Sequence, residues 1–502
     1  VGARAQARPA SFGPVAATDF ERIFHPRRMA IVGVSSEGGY GFANGMLLAC
    51  RAMGFAGEIL PVNPKGGTFA GQTIFHSLEE IPGDIDFAVI AVPAPAVPEA
   101  LEACRRKGAA GAEVLTAGFG ETGTPEGRVL EQQIREVAAR GIRVVGPNCF
   151  GIYCPASGLT LLPGAGLSRE TGPVGFLSQS GGMSIDLAHL GGWMGLRFSK
   201  VISFGNGADL REAELLRYLA DDPETGVIAM YVEGVADGSD FFQAIREAAL
   251  RKPVVVLKGG LSEAGGRAVV GHTASMGGSR AIWSGVLRQA NATRVESLEE
   301  LAQACLAFSH LPARVFRGIS AVGGGGALGA AAGDAAEACG ITLPAFSPDL
   351  RDRIEAILPR PGSSAANPID VANPFVPPAV LGQVLRLAAE DTRVGLQVLI
   401  SLLYHYKSQA RAVGVAVADI TPCTELAETV AAAAADTGKP VVMVLPDLMR
   451  GPEDLDLAGM MAGAREEFTG RGVPVFGAIG EALRAIGHVS AYYERRLPRE
   501  ES

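Results

Sequence analysis

The chain has 502 residues, 48% of them hydrophobic and 19% charged, with a net charge of −9. That length suggests about three domains of roughly 150 residues each, and the composition favours packed cores over disorder. The acidic balance argues against nucleic acid or an anionic membrane surface as the main partner.

The opening stretch VGARAQARPA lacks the apolar centre of a signal peptide. Residues 1–18 are expected to be a loose tail. No apolar run approaches the roughly 18 residues of a membrane span. The seven cysteines (50, 104, 149, 154, 305, 339 and 423) form no CxxC and no Cys/His cluster. Their scatter predicts a reducing, cytoplasmic setting with no metal site.

Strands are expected at RMAIVGV, EILPVN, DFAVIAV, AEVLTAG and RVVGPN, with helices such as VPEALEACRRKG and VLEQQIREVAARG between them. The alternation restarts with PVGFLSQSGG, FSKVISFG, GVIAMYVEG and PVVVLKGG. It starts a third time with GISAVGGGGALG, VGLQVLISLLY, PVVMVLPD and VPVFGAIG. Helices between strands imply parallel sheets. The fold class read from this pattern is α/β, with three doubly wound parallel-sheet domains at roughly 19–155, 164–311 and 315–495. Ligands of open parallel sheets sit at the carboxyl ends of strands, and the unusual stretches lie there.

In the first block, IVGVSSEGGYG leaves a strand and opens a helix, freeing backbone amides for a phosphate. Ser35 breaks the dinucleotide pattern G-x-G-x-x-G, and the ribose-binding acid after the second strand is missing. PVNPKGG stands there instead. Its Lys65 suits an extra phosphate, such as the 3′-phosphate of coenzyme A, unless it is an ordinary surface lysine. AVPAP, with Val92 and Pro93, forms a rigid wall. GPNCFG carries Asn148, Cys149 and Phe150; Cys149 reads as pocket lining more readily than as a nucleophile, since no histidine is near in sequence.

In the second block, FLSQSGGMSIDLAHL is strand, tight turn and helix, placing Ser178, Gln179, Ser180, Gly181 and Gly182 as an anion cradle. It resembles a nucleophile elbow, but G-x-S-x-G needs glycine where Ser178 stands. MYVEGV leaves Glu233 at the end of an apolar strand, either facing solvent or orienting an imidazole. GHTAS places His272 among small residues. Neutral imidazole accepts phosphoryl groups well and leaves well when protonated. The remaining histidines (25, 76, 189, 310, 405 and 488) are isolated and read as structural.

These motifs, with LSEAGGRA, RVESLEEL and PRPGSSAANPIDV, occur in an order that resembles the NDP-forming acyl-CoA synthetases, the superfamily of succinyl-CoA synthetase and ADP-forming acetate–CoA ligase. The resemblance implies a Rossmann-like CoA-binding domain followed by two flavodoxin-like domains. It implies coenzyme A held by Gly33, Ser35, Ser36, Glu37, Gly38, Gly39, Lys65, Val92, Pro93, Leu115, Thr116 and Ala117. It also implies His272 as the phosphorylated residue, Glu233 as its orienting carboxylate, and Ser178 to Gly182 as the phosphate cradle. Asn148, Cys149, Phe150 and Ile185 would line the acid pocket. Ile185 stands where succinate-type members carry a tyrosine; with Met183 and Phe150 it suggests a more apolar pocket. The sequence departs from acetate-type members at Gly271 and Ala274, which flank His272 and Thr273.

The reaction implied passes a phosphoryl group from NTP to histidine and then to a carboxylic acid, and ends in acyl-CoA. No G-x-x-x-x-G-K-[ST] is found; GGGGALG lacks the lysine and suits close helix–sheet packing. The resemblance then implies an α-type subunit of a hetero-oligomer, with ATP or GTP and Mg²⁺ on an ATP-grasp β-type partner. Two other readings stay open: a CoA or acyl-CoA sensor with an idle histidine, and an NAD(P) oxidoreductase, which Ser35 disfavours.

Overall fold

Apolar runs bounded by glycine become strands here, and the alanine-rich stretches between them become the helices that cover the sheets. The computed structural model describes residues 18–36, 41–161, 166–267 and 279–496. The first sheet comprises β1 (Arg28–Val32), β2 (Glu58–Val62), β3 (Phe87–Ile90), β4 (Gly111–Val114) and β5 (Arg143–Val145). All pairs are parallel, in the order β2-β1-β3-β4-β5. Every residue of β3 and β4 is buried, as expected for strands covered on both faces. The order reverses between β1 and β3. Helix α1 (Phe42–Met53) starts beside that switch point, where ligands of such sheets bind.

The second sheet contains β6 (Gly151–Cys154), β7 (Leu159–Thr160), β8 (Thr171–Ser178), β9 (Phe198–Ser203), β10 (Val227–Val232), β11 (Val254–Lys258) and β12 (Thr293–Val295). Its order is β12-β11-β10-β8-β9-β6-β7. Five strands are parallel, while β6 runs antiparallel to β9 and β7. The last strand before residue 155, β6, pairs with the second sheet, with Ile152 opposite Ile202. Gly151, at φ +76°, turns the chain across. Ile152 and Tyr153 then bury fully among residues of the second layer. The crossing brings the loop before β6 against the second sheet.

The third sheet is parallel throughout: β13 (Ile319–Gly323), β14 (Ile369–Asp370), β15 (Leu396–Ile400), β16 (Val441–Val444) and β17 (Val475–Phe476), in the order β14-β13-β15-β16-β17. The closing helix, Ile479–Arg496, docks this domain onto the helix Leu298–His310 of the second. His488 Nε2 lies 2.9 Å from Glu300 Oε1, and the Tyr492 hydroxyl donates to the Ala249 carbonyl at 2.7 Å. No described helix is long and apolar enough to cross a membrane.

Candidate active site

Strand ends from the first two domains face a common cavity of about 740 Å³. From the first sheet come Gly33 after β1, Ala91 to Pro93 after β3, and Leu115 to Ala117 after β4. Gly33 has φ +112°, and a Cβ there would stand 2.4 Å from the Ala91 carbonyl oxygen. Only glycine lets β1 and β3 end this close together. The Thr116 hydroxyl donates to the Val92 carbonyl at 2.6 Å, and the Asn148 amide donates to the Thr116 carbonyl at 3.0 Å. These bonds tie three loops into one wall.

The opposite wall is the start of α2 (Gly181–Met194). Ser180 is its N-cap, its hydroxyl accepting from the Met183 amide at 3.4 Å. The first amides of a helix have no intrahelical acceptor and carry the positive end of its dipole. Gln179, Ser180, Gly181 and Gly182 line the cavity. Ser178 does not. It is fully buried, and its hydroxyl donates to the Ser180 carbonyl at 2.6 Å while accepting from the Ser180 amide at 3.2 Å. It shapes the turn from beneath.

Between the walls lies the loop Asn148–Phe150. The Phe150 amide donates to Ser203 Oγ at 3.1 Å, and its ring rests on the start of α2. A Cβ on Gly181 would come within 2.6 Å of Phe150 Cδ2. Cys149 lines the cavity but is 4% exposed, and its thiol faces the Val114 carbonyl at 3.4 Å. Burial pushes that thiol well above the ordinary cysteine range, which removes the thiolate a nucleophile needs.

Behind the cradle sits Glu233, 7% exposed, just past β10. Its amide and that of Gly234 both donate to Gln179 Oε1, at 2.7 and 3.1 Å. Gln179 thus couples the cavity wall to the acid. The Tyr231 hydroxyl donates to Glu233 Oε1 at 3.1 Å. Glu233 Oε2 is buried with no hydrogen-bond partner among the described residues, an acceptor left open in a site where unpaired polar atoms are costly. Lys258, at the end of β11, donates to the Glu233 carbonyl at 2.8 Å and to the Gly259 carbonyl, and lies 5.0 Å over the Trp283 ring. Burial lowers the Lys258 pKa, and the nearby Glu233 carboxylate opposes that shift.

Other residues singled out in the sequence lie elsewhere. Lys65 is exposed and outside the cavity wall, its ammonium without a hydrogen-bond or ion-pair partner among the described residues. The Ser35 amide donates to Asn44 Oδ1 at 2.9 Å. A Cβ on Gly67 would meet the Ser36 Cβ at 2.7 Å, which brings the turn after β1 against the Lys65 loop. Ile185 and Met183 pack against the second hydrophobic core and do not line the cavity. They follow the cradle by less than two helical turns, and both are only partly buried. Glu37, Gly38, Gly39 and His272 lie outside the described residues. Among the described residues no group of His, Cys, Asp or Glu gathers in a way that could hold a metal ion.

The structure adds Phe42, Gly205 and Asn206 to the wall. Asn206 Oδ1 accepts from Asn148 Nδ2 at 3.3 Å; the glycine-rich SFGNG stretch was a signal for it. Phe42 follows the glycine-rich sequence GGYG and begins α1, a position with no chemical signature in the sequence.

Comparison with known proteins matches the chain domain by domain. Residues 27–155 match the CoA binding domain, 171–308 the succinyl-CoA ligase like flavodoxin domain, and 319–449 the Ligase-CoA domain. The acetate–CoA ligase (ADP-forming) I subunit alpha of Pyrococcus furiosus is 37% identical over 70% of this chain and 76% of its own. The chain belongs to the NDP-forming acyl-CoA synthetase family. The family's Archaeoglobus fulgidus acetate–CoA ligase (ADP-forming) I is also 37% identical, over 70% of this chain and 50% of its own. The chain therefore spans about half the length of several curated family members it matches. A solved family structure, the Ca. Korarchaeum cryptofilum dinucleotide forming acetyl-coenzyme A synthetase 1 in complex with phosphate and ADP, superposes with a TM-score of 0.80 at 28% identity. It covers 95% of this chain and 98% of its own.

Proposed function

We propose that this chain is the α-type subunit of an NDP-forming acyl-CoA synthetase, catalysing acyl-CoA formation from a carboxylic acid, coenzyme A and NTP, or the reverse. The observation that carries the reading is the shared cavity. The strand ends of the CoA binding domain and the amino end of α2 face one space, so a thiol and a phosphoryl group can meet at one carbonyl carbon.

In this mechanism His272 carries a phosphoryl group from the NTP and passes it to the acid's carboxylate oxygen, forming an acyl phosphate. The coenzyme A thiolate then attacks the carbonyl carbon. The C–S bond forms, the C–O bond to phosphate breaks, and inorganic phosphate leaves. Helix N-terminal amides and Ser180 stabilise the charge that grows on the departing oxygens. Glu233 accepts a hydrogen bond from the imidazole through Oε2, fixing its tautomer and favouring its cation. Tyr231 holds the other oxygen, and Gln179 and Lys258 hold the backbone. Gly33, Val92, Pro93 and Leu115 to Ala117 hold the pantetheine arm, and Lys65 takes a nucleotide phosphate of coenzyme A.

ATP or GTP and Mg²⁺ bind an ATP-grasp partner subunit; the likeness to a relative named subunit alpha supports this assignment. The decisive experiment incubates the chain, with and without such a partner, with γ-labelled ATP. Acid-labile label at His272 that an acid and coenzyme A together discharge is the expected result. ATP-dependent acyl-CoA synthesis by the purified chain alone would overturn the partner assignment. Absence of any label with the partner present would overturn the reaction.

A further inference from the structure

Four of the 14 residues of α2 are glycine. Glycine inside a helix costs about 1 kcal/mol relative to alanine, so α2 keeps its place through what packs on it more than through its own propensity. At 1.5 Å per residue it is a rod about 21 Å long. Phe150 rests on Gly181 at the amino end. The carboxyl end meets the third-domain helix α3 (Leu455–Thr469). Gly195, the C-cap of α2, has φ +90°, and a Cβ there would stand 2.8 Å from Thr469 Cγ2.

One turn before Thr469, and so on the same face of α3, stands Arg465. It is 3% exposed, and its guanidinium carbon lies 4.5 Å from the centroid of the Trp193 ring near the end of α2. Its Nε is buried with no hydrogen-bond partner, and the side chain forms no ion pair, among the described residues. Burial lowers the Arg465 pKa, which the Asp447 and Glu481 carboxylates oppose. A buried cation without hydrogen bonds costs more than an apolar side chain of similar size. The negative face of the indole offsets that cost, in a contact that strengthens when desolvated. Trp193 is itself 54% exposed, so no core of its own fixes the ring. The cation does, because its attraction is centred on the ring face.

We infer that Arg465 is a positioning residue for the phosphoryl cradle: it anchors Trp193, fixes the carboxyl end of α2 and so sets where the Ser180 to Gly182 amides stand. The inference rests on the proposed reaction and adds to it a third-domain residue that does not line the cavity. A shift of the rod by part of an ångström takes the amides off the phosphoryl oxygens. Such misplacement slows a reaction without touching the reacting atoms.

The test follows labelling of His272 by γ-labelled ATP in the full chain with its ATP-grasp partner, beside melting temperature and coenzyme A affinity. Arg465→Met should slow labelling about tenfold or more. Its melting temperature should hold or rise, since an unpaired buried charge gives way to an apolar side chain. Coenzyme A affinity and the half-saturating ATP concentration should stay within about twofold. Arg465→Lys keeps a cation over the ring and should retain the rate within about threefold. Trp193→Leu, at an exposed position that leaves the cores intact, should slow labelling as Arg465→Met does. The double variant should be no slower than either, because both remove one contact. Labelling by Arg465→Met within about twofold of wild type would overturn the inference. So would a rate that falls in step with melting temperature, no rescue by lysine, or losses that multiply in the double variant. Wild-type protein that takes no label with the partner present would overturn the proposed reaction, and the inference with it.

Discussion

Two helices in this molecule begin after a strand and a glycine-rich turn, and they begin differently. At α2, Ser180 caps the helix and the Gly181 and Gly182 backbone lines the cavity. At the third-domain helix Gly326–Ala338, which also borders a crevice, of about 460 Å³, Asp370 reaches in from β14. Its Oδ1 accepts from the Gly325 amide at 2.9 Å and the Ala372 amide at 2.8 Å. A carboxylate already occupies the place where an anion would go, so like charge disfavours a phosphoryl group there. The difference teaches that glycine and a helix start create an anion site only when no neighbouring strand supplies the anion. By this criterion α2, and not the third-domain helix, offers an anion site, and the third domain docks onto the second through its closing helix.

The comparison breaks most directly at Ser180. Ser180→Asp keeps a good helix cap but gives α2 the negative charge that the third-domain helix already has. Acyl-CoA formation by the chain with its partner should fall about a hundredfold or more, the scale of losing transition-state charge stabilisation, with an unchanged circular dichroism spectrum. Near-normal turnover would show that α2 is not the cradle.

Tyr231→Phe is the next largest effect. Losing one hydrogen bond to a charged group amounts to about 1.5–3 kcal/mol, so His272 phosphorylation should slow by about ten- to a hundredfold. Coenzyme A affinity should not follow it, because Tyr231 touches Glu233 and does not line the cavity. Equal losses in both measurements would reduce Tyr231 to a packing residue.

In the third domain, Asp370→Ala should cost about 1–2 kcal/mol of stability in denaturant unfolding, as loss of a turn and helix-start acceptor does, while turnover stays within about twofold. A turnover loss as large as that of Ser180→Asp would make the two helix starts functional equals.

The smallest effect concerns the docking contact. The hydrogen bond from His488 holds the Glu300 carboxyl below its ordinary range, against the opposing effect of burial. A carboxylate depressed in the folded state adds stability above its unfolded pKa, about 4.3. That contribution is lost as pH falls through the folded value. Glu300→Gln should lower stability slightly near neutral pH, by less than about 1 kcal/mol, seen as a small drop in melting temperature, and the two proteins' melting temperatures should converge below about pH 4. A gap that persists there would mean that Glu300 acts through packing.

Much of the site was legible because it is made of local turn chemistry. The ends of β1, β3, β4 and β8 were readable as glycine, proline and serine clusters after apolar runs, and each places a residue at the same cavity. Phe42 was not legible, since an aromatic residue at the start of an amphipathic helix is most often packing. The resemblance points to Ile185, with Met183, as pocket residues because succinate-type members carry a tyrosine at position 185; in the structure both pack against the second core. That β6 pairs with the second sheet was not legible, because a short apolar strand says nothing of which sheet will pair with it.

The sequence by itself determined the alternation of strand and helix, the parallel sheets and the family. Those depend on periodicity, turn residues and motif order, all carried within short windows of chain. The tertiary structure alone decided which strand ends share a cavity, which oxygen of Glu233 stays open, and which helix start is already filled by an acid. These are matters of distance between residues far apart in the chain: Gln179 and Glu233 meet across β8 and β10, as do Gly325 and Asp370 across β13 and β14. Only the packing of the sheets brings such groups within hydrogen-bond reach.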